Sequence, residues 1–239
     1  MKRTPKDAGF TLIEMLVVIA IVGILLTVVL FNYRGVESKS ILKNIAYEVA
    51  LTVREAQSYG LGVKKYVPDG GTINASAGIF SQSYGVHVND GADEAKNIYL
   101  FSDANDNGVC ADCTGGSCPG TGECRQTLTL HSGAEIQNVC LTGRLSSSSV
   151  EEKCMATKPG GITGLSFESA AVRFKRPNPD AKFTPGNDAG DEEDIWSSGS
   201  DISAAEKMVI SLINPRTPDY VQNIEITSLG QVSVYGNDI

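Results

Sequence analysis

The stretch that decides how this chain is built is FTLIEMLVVIAIVGILLTVVLF, residues 10–31. Its sole ionisable side chain is Glu14, one turn inside an otherwise apolar run. At 1.5 Å per residue the run predicts a helix about 33 Å long, enough to cross a hydrocarbon core of about 30 Å. Lys2, Arg3 and Lys6 precede it, opposed by Asp7 alone. A positive flank of this kind keeps the amino end cytoplasmic and sends the following residues across the membrane. A cleaved secretory signal has a shorter apolar region that ends in a small-residue cleavage site. Here Asn32-Tyr33-Arg34 follows instead.

Glu14 needs a reason to be there. An acid within a membrane helix costs roughly 2.5–3.5 kcal/mol at the centre and less toward the interface. The span contains no Lys or Arg to pair with it. A partner from another molecule fits, such as an amino terminus freed at the same depth by a cut just before Phe10. The competing reading is an acid that snorkels to the membrane face.

The residues around that point, Gly9-Phe10-Thr11-Leu12-Ile13-Glu14, resemble the type IV prepilin family, which includes the type IV pilins and the pseudopilins of type II secretion. The resemblance runs from about residue 9 to residue 60. It implies a leader, residues 1–9, removed after Gly9 by a prepilin peptidase that then methylates the new terminal Phe10. It also implies that Glu14 neutralises the Phe10 amine of a neighbouring subunit. Two charges that are each unfavourable in lipid then offset one another on assembly. A head-to-tail contact whose rotation does not close builds a helical filament. The implied partners are other pilin subunits, the peptidase/methyltransferase, an inner-membrane assembly platform and membrane lipid. Many pilins have Pro where this chain has Phe31, so no proline kink is expected there. Gly23 is the remaining weak point. The missing Pro, together with resemblances at residues 48–56, 174–180 and the terminal hairpin, favours a minor pseudopilin-type head.

The helix should continue past the membrane. Ile41, Ile45, Val49, Val53 and Ala56 recur at three- and four-residue spacing, widened by Leu42, Ala46 and Ala50. Gly60 and Gly62 supply a stop. The expected organisation is a helix over 10–60, transmembrane over 10–31, and an exported head over 61–239. Beyond Gly60 the texture is that of strands, expected at 85–88, 97–101, 126–130, 134–141, 164–167, 171–175, 207–213, 221–227 and 231–235. The last two form a hairpin about Ser228-Leu229-Gly230. Residues 68–83 and 178–200 read as loops, the second with an acidic run from Asp188 to Asp194. The fold class is therefore α+β: a long helix whose exported apolar stripe is covered by an antiparallel β-sheet head with disulfide-bearing loops.

Two local patterns suggest chemistry in the head. Asp103-Ala104-Asn105-Asp106-Asn107-Gly108 matches the first half of a calcium loop, with Asp103, Asn105, Asn107, the Val109 carbonyl and Asp112 as candidate Ca²⁺ ligands. The closing acid expected six residues after the glycine is replaced by Thr114, and Asp112 stands two residues early. The alternative is an Asx-rich turn whose side chains cap the backbone. The second pattern is the cysteines. Cys110, Cys113, Cys118 and Cys124 lie in a Gly-rich insert, and Cys140 and Cys154 flank a serine run. An even, clustered set in an exported head suits disulfides. Locality suggests Cys140 with Cys154 and two pairs inside the insert. Four thiolates on zinc, or free thiols, are the alternatives, and a single C-x-x-C speaks against zinc.

The net charge is −8, a poor basis for general nucleic-acid binding, and no nucleic acid is expected. His87 and His131 are the only histidines, read as strand and turn residues. No nucleophile elbow, P-loop or zinc-protease motif appears, so no catalytic residue is named and an enzyme is not expected. The expected function is a structural pilin-like subunit of a type IV pilus or a type II secretion pseudopilus. It would start as a single-pass inner-membrane protein and move into a surface or periplasmic filament. The alternative is a minor tip pilin that binds DNA, a surface or a secreted cargo.

Overall fold

The computed structural model describes residues 10–62, 82–89, 94–104, 106–110, 112–116, 118, 122–144, 150–156, 167–186 and 205–238. One helix, α1, runs unbroken from Leu12 to Leu61, across both Gly23 and Phe31. Its start has a local cause. Thr11 is the N-cap, with extended backbone, and its hydroxyl accepts the Glu14 N–H at 3.3 Å. Thr11 and Glu14 thus have the spacing of a capping box, and Glu14 lies in the first turn, where the helix dipole favours an acid. The helix stops at Gly62, whose N–H returns to the Ser58 carbonyl at 2.8 Å.

Ten strands follow: β1 (Ser83–Asn89), β2 (Asn97–Asp103), β3 (Cys124–Thr129), β4 (Glu135–Arg144), β5 (Val150–Ala156), β6 (Ser169–Lys175), β7 (Asn178–Gly186), β8 (Lys207–Asn214), β9 (Thr217–Thr227) and β10 (Val232–Asp238). They form two five-stranded antiparallel sheets, ordered β3-β2-β1-β6-β7 and β10-β9-β8-β4-β5. The architecture is α+β, and disulfides brace the head.

The carboxy-terminal half of α1 packs on strands of both sheets, chiefly β1 and β6 of one and β9 and β10 of the other. Leu42, Ile45, Ala46, Val49, Ala50, Val53 and Ala56 are all buried in a core shared with Val86, Val172, Phe174, Ile210 and Ile224. Each large apolar side chain so buried contributes about 1.5–3 kcal/mol. Gly60 sits where the helix comes closest to β6, since a Cβ there would collide with the Phe174 carbonyl. Polar tethers add direction: Arg54 and Gln57 donate to the carbonyls of Val232 and Gly230.

The hairpin about residues 228–230 is present, with Gly230 at positive φ and its N–H on the Thr227 carbonyl. Three other expectations fail. The loop expected over 178–200 begins with strand β7, because Pro179 and Pro185 fall on an edge strand, where a missing N–H breaks no interior ladder. Strand β5 was not expected at all: its Val-Glu-Glu-Lys-Cys-Met-Ala sequence takes its pairing from β4 rather than from its own propensity. Phe167, expected in a strand, precedes β6 as a buried connector. The segments 68–81, 164–166 and 187–200 of those expectations, with the acidic run 188–194, lie outside the described residues.

The cysteine-bearing insert between β2 and β3 explains an unusual burial pattern. β1 and β2 are buried at every position. One face, with Val86, Val88, Ile98 and Leu100, looks into the main core. The other face carries Tyr99 and Phe101, which join Val109, Cys110, Cys113, Cys124 and Ala171 in a second apolar cluster. The insert lies over the outer face of the first sheet and makes a small core of its own.

Candidate functional site

The amino-terminal site is built from the helix start. Phe10 is 79% exposed and lies outside the helix, just before the Thr11 cap. Leu12 to Leu30 form a segment long and apolar enough to cross a membrane, with none of it buried against the rest of the chain. Among the described residues no hydrogen bond or ion pair reaches the Glu14 carboxylate; its backbone N–H alone is engaged, by Thr11. Gly9 lies outside the described residues. Thr27 returns its hydroxyl to the Gly23 carbonyl at 2.8 Å, so this glycine's backbone acceptor has a side-chain partner within the apolar segment. The exposed face continues into the carboxy-terminal half of α1. Tyr47 and Leu51, one turn apart, are 48% and 65% exposed and point away from the sheets.

The second site is the loop after β2. All the described cysteines are bridged: Cys110–Cys113, Cys118–Cys124 and Cys140–Cys154. Cys110, Asp112 and Cys113 come together, as do Cys140, Glu152 and Cys154, but in each group both sulfurs are spent in a disulfide. Neither group is a set of metal thiolates.

The acids of the loop are committed elsewhere. The Asp103 side chain is fully buried, and its Oδ2 accepts from Arg173 Nη1 at 2.6 Å, Ser83 Oγ at 3.0 Å and the Gly108 N–H at 3.2 Å. Asp106 receives Lys175 Nζ at 2.7 Å, which holds its carboxyl below the usual carboxylate range. Asn107 Oδ1 accepts the Val109 N–H, and Asp112 accepts the N–H groups of Glu123 and Cys124. Asn105 lies outside the described residues. A guanidinium therefore lies against the candidate ligand Asp103 and an ammonium against its neighbour Asp106, while the side-chain oxygens of Asn107 and Asp112 accept from backbone donors.

His87 is missing from any sequence-derived site, yet it anchors the insert. It is buried against the Phe101 ring and contacts Asn89 Oδ1, while Asn89 donates to the Cys113 carbonyl. Burial lowers its pKa to about 4, against smaller opposing effects of Asn89 and Glu94. The Glu94 carboxylate accepts from Tyr99 OH and from the Gly115 N–H, and Tyr99 OH accepts the Gly116 N–H. Gly115 and Gly116 are both at positive φ, which glycine tolerates best. Arg173 and Lys175, which meet the loop from β6, and Glu123, from the far end of the insert, carry no sequence signal that would tie them to it.

Against known proteins, no curated protein and no solved structure matches the chain. A family described as the prokaryotic N-terminal methylation motif matches residues 4–30. That interval contains Gly9, Phe10, the Thr11 cap, Glu14 and the apolar span. The motif is that of a structural, pilin-type subunit rather than a catalyst. The chain thus carries, at its amino terminus, the signature of the type IV prepilin-like proteins.

Proposed function

We propose that the chain is a filament subunit of pilin or pseudopilin type, cut after Gly9, methylated on Phe10 and assembled through α1. One observation carries this reading. The apolar helix from Leu12 to Leu30 is wholly unburied in the single chain, and its one acid stands a turn from the proposed new terminus. Lipid covers such a helix before assembly, and neighbouring helices cover it after. Glu14 then meets the amine of a neighbour's Phe10 and sets the register. Tyr47 and Leu51 extend the same contact surface beyond the membrane. The head remains outside, in a type IV pilus, a competence pilus or a type II secretion pseudopilus. A minor tip subunit that binds DNA, a surface or cargo is favoured by the disulfide-built insert, which covers the outward side of the first sheet.

The test is to shear filaments from cells and analyse this chain by mass, with and without Glu14→Gln. The expected mature chain begins at methylated Phe10, and the variant is processed but absent from filaments. A mature terminus elsewhere, or a Gln form that polymerises equally well, removes the proposal.

A further inference from the structure

The three disulfides have different surroundings. Cys110, Cys113 and Cys124 are almost completely buried in the cluster beneath the insert. Cys118 is half-buried, but it packs on that cluster and receives Thr127 Oγ1 at 3.5 Å. Cys140 and Cys154 face each other directly across β4 and β5, with Cα atoms 4.1 Å apart. Strand β5 is the edge of its sheet. Cys140 is buried, while Cys154 is partly exposed, with the exposed Glu152 carboxylate 3.6 Å from its sulfur.

We propose that Cys140–Cys154 is an exchangeable disulfide, open to an external dithiol, and that the two bridges of the insert are not. A thiolate attacks a disulfide sulfur in line with the S–S bond, so access along that line decides the reaction. The bridge spans the two strands, and its Cys154 end, beside the exposed Glu152 carboxylate, is the partly exposed one while its Cys140 end is buried. Among the described residues no strand lies beyond β5. Attack therefore falls on Cys154. The new S–S bond forms there, the Cys140–Cys154 bond breaks, and its electron pair leaves on Cys140 Sγ, which takes a proton from water. The second thiol of the donor then attacks its own sulfur in the mixed disulfide and releases Cys154 as a thiol. The bridge gains two electrons, and the dithiol becomes a disulfide. The consequence is mechanical. Among the described strands β5 pairs with β4 alone, so reduction removes the covalent tie from an edge strand and leaves it its non-covalent contacts, the β4 ladder and the buried Met155 among them. Glu152 adds selectivity, because its charge repels anionic thiols at the sulfur under attack.

The experiment uses the detergent-solubilised full chain at pH 8, treated briefly with dithiothreitol, alkylated with iodoacetamide and mapped by peptide mass. Cys140 and Cys154 should become alkylated about tenfold faster than the other four cysteines. A parallel series compares 2-mercaptoethanesulfonate with cysteamine. Glu152→Gln should speed the anionic thiol by about threefold at low salt relative to the cationic one. Opening of Cys118–Cys124 first, or of all three bridges at one common rate, overturns the proposal. So does a Glu152→Gln variant that responds equally to both thiols, since attack would then not pass that carboxylate.

Discussion

Replacing Arg173 by Met tests how the loop after β2 is held. Arg173 Nη1 lies 2.6 Å from Asp103 Oδ2, and the Asp103 side chain is fully inaccessible to water whereas that of Arg173 is 14% exposed. The two partners are therefore not equivalent. Without Arg173, the Asp103 carboxylate keeps Ser83 Oγ and the Gly108 N–H but loses its one counter-charge among the described residues. Leaving a buried charge unpaired costs about 3–5 kcal/mol, and two surviving donors place Arg173→Met near 3. Asp103→Asn should cost less, about 1–2 kcal/mol, because Arg173 retains the Asp106 carbonyl and carboxylate and some contact with solvent. The double variant should lie within about 1 kcal/mol of Asp103→Asn alone, since the orphaned charge is then gone. Thermal unfolding of the oxidised chain, followed by near-UV circular dichroism, would read these as melting shifts of roughly 6–12 °C for Arg173→Met and about half that or less for Asp103→Asn. Hydrogen exchange at the Gly108 amide should quicken in Arg173→Met. Equal losses in the two single variants, or a double variant worse than Arg173→Met, would show that the pair is not what secures the loop.

Other outcomes follow from the same structure. Gly60→Val should destabilise the head by about 2–3 kcal/mol, because any β-carbon collides with the Phe174 carbonyl where the helix meets β6; denaturant unfolding that matches the wild type would refute that close approach. His87 is neutral in the fold, with its pKa lowered from 6.5 to about 4. The unfolded chain binds a proton at His87 as pH falls below 6.5, while the folded chain waits until about 4. Stability is thus fully present above pH 6.5, is lost through that window by about 3 kcal/mol, and is flat below it. Melting curves against pH for wild type and His87→Gln should diverge there, and parallel curves would sink the assignment. Millimolar Ca²⁺ should move the melting temperature by less than about 2 °C, since it must displace Arg173 and Lys175 to reach the loop acids; a rise of several degrees reversed by chelation would show that it does displace them.

What could be read from the residues was whatever depends on neighbours in the chain. The apolar run with its single acid, the apolar stripe from Leu42 to Ala56 and the glycine stop all act within a turn or two, and helix physics is local. The terminal hairpin is local for the same reason, as its turn needs one glycine at positive φ. Cysteine proximity suggested the bridge pairs, because short loops close most easily. Tertiary structure alone decided which chain segments meet. Strand β5 forms because β4 offers it a ladder, and β7 tolerates two prolines because it lies on an edge. The loop that reads as a calcium half-site receives Arg173 and Lys175 from β6, some seventy residues along the chain. Opposite charges select one another by distance in space, and nothing in the spacing of Asp103 and Arg173 along the sequence records that they are 2.6 Å apart.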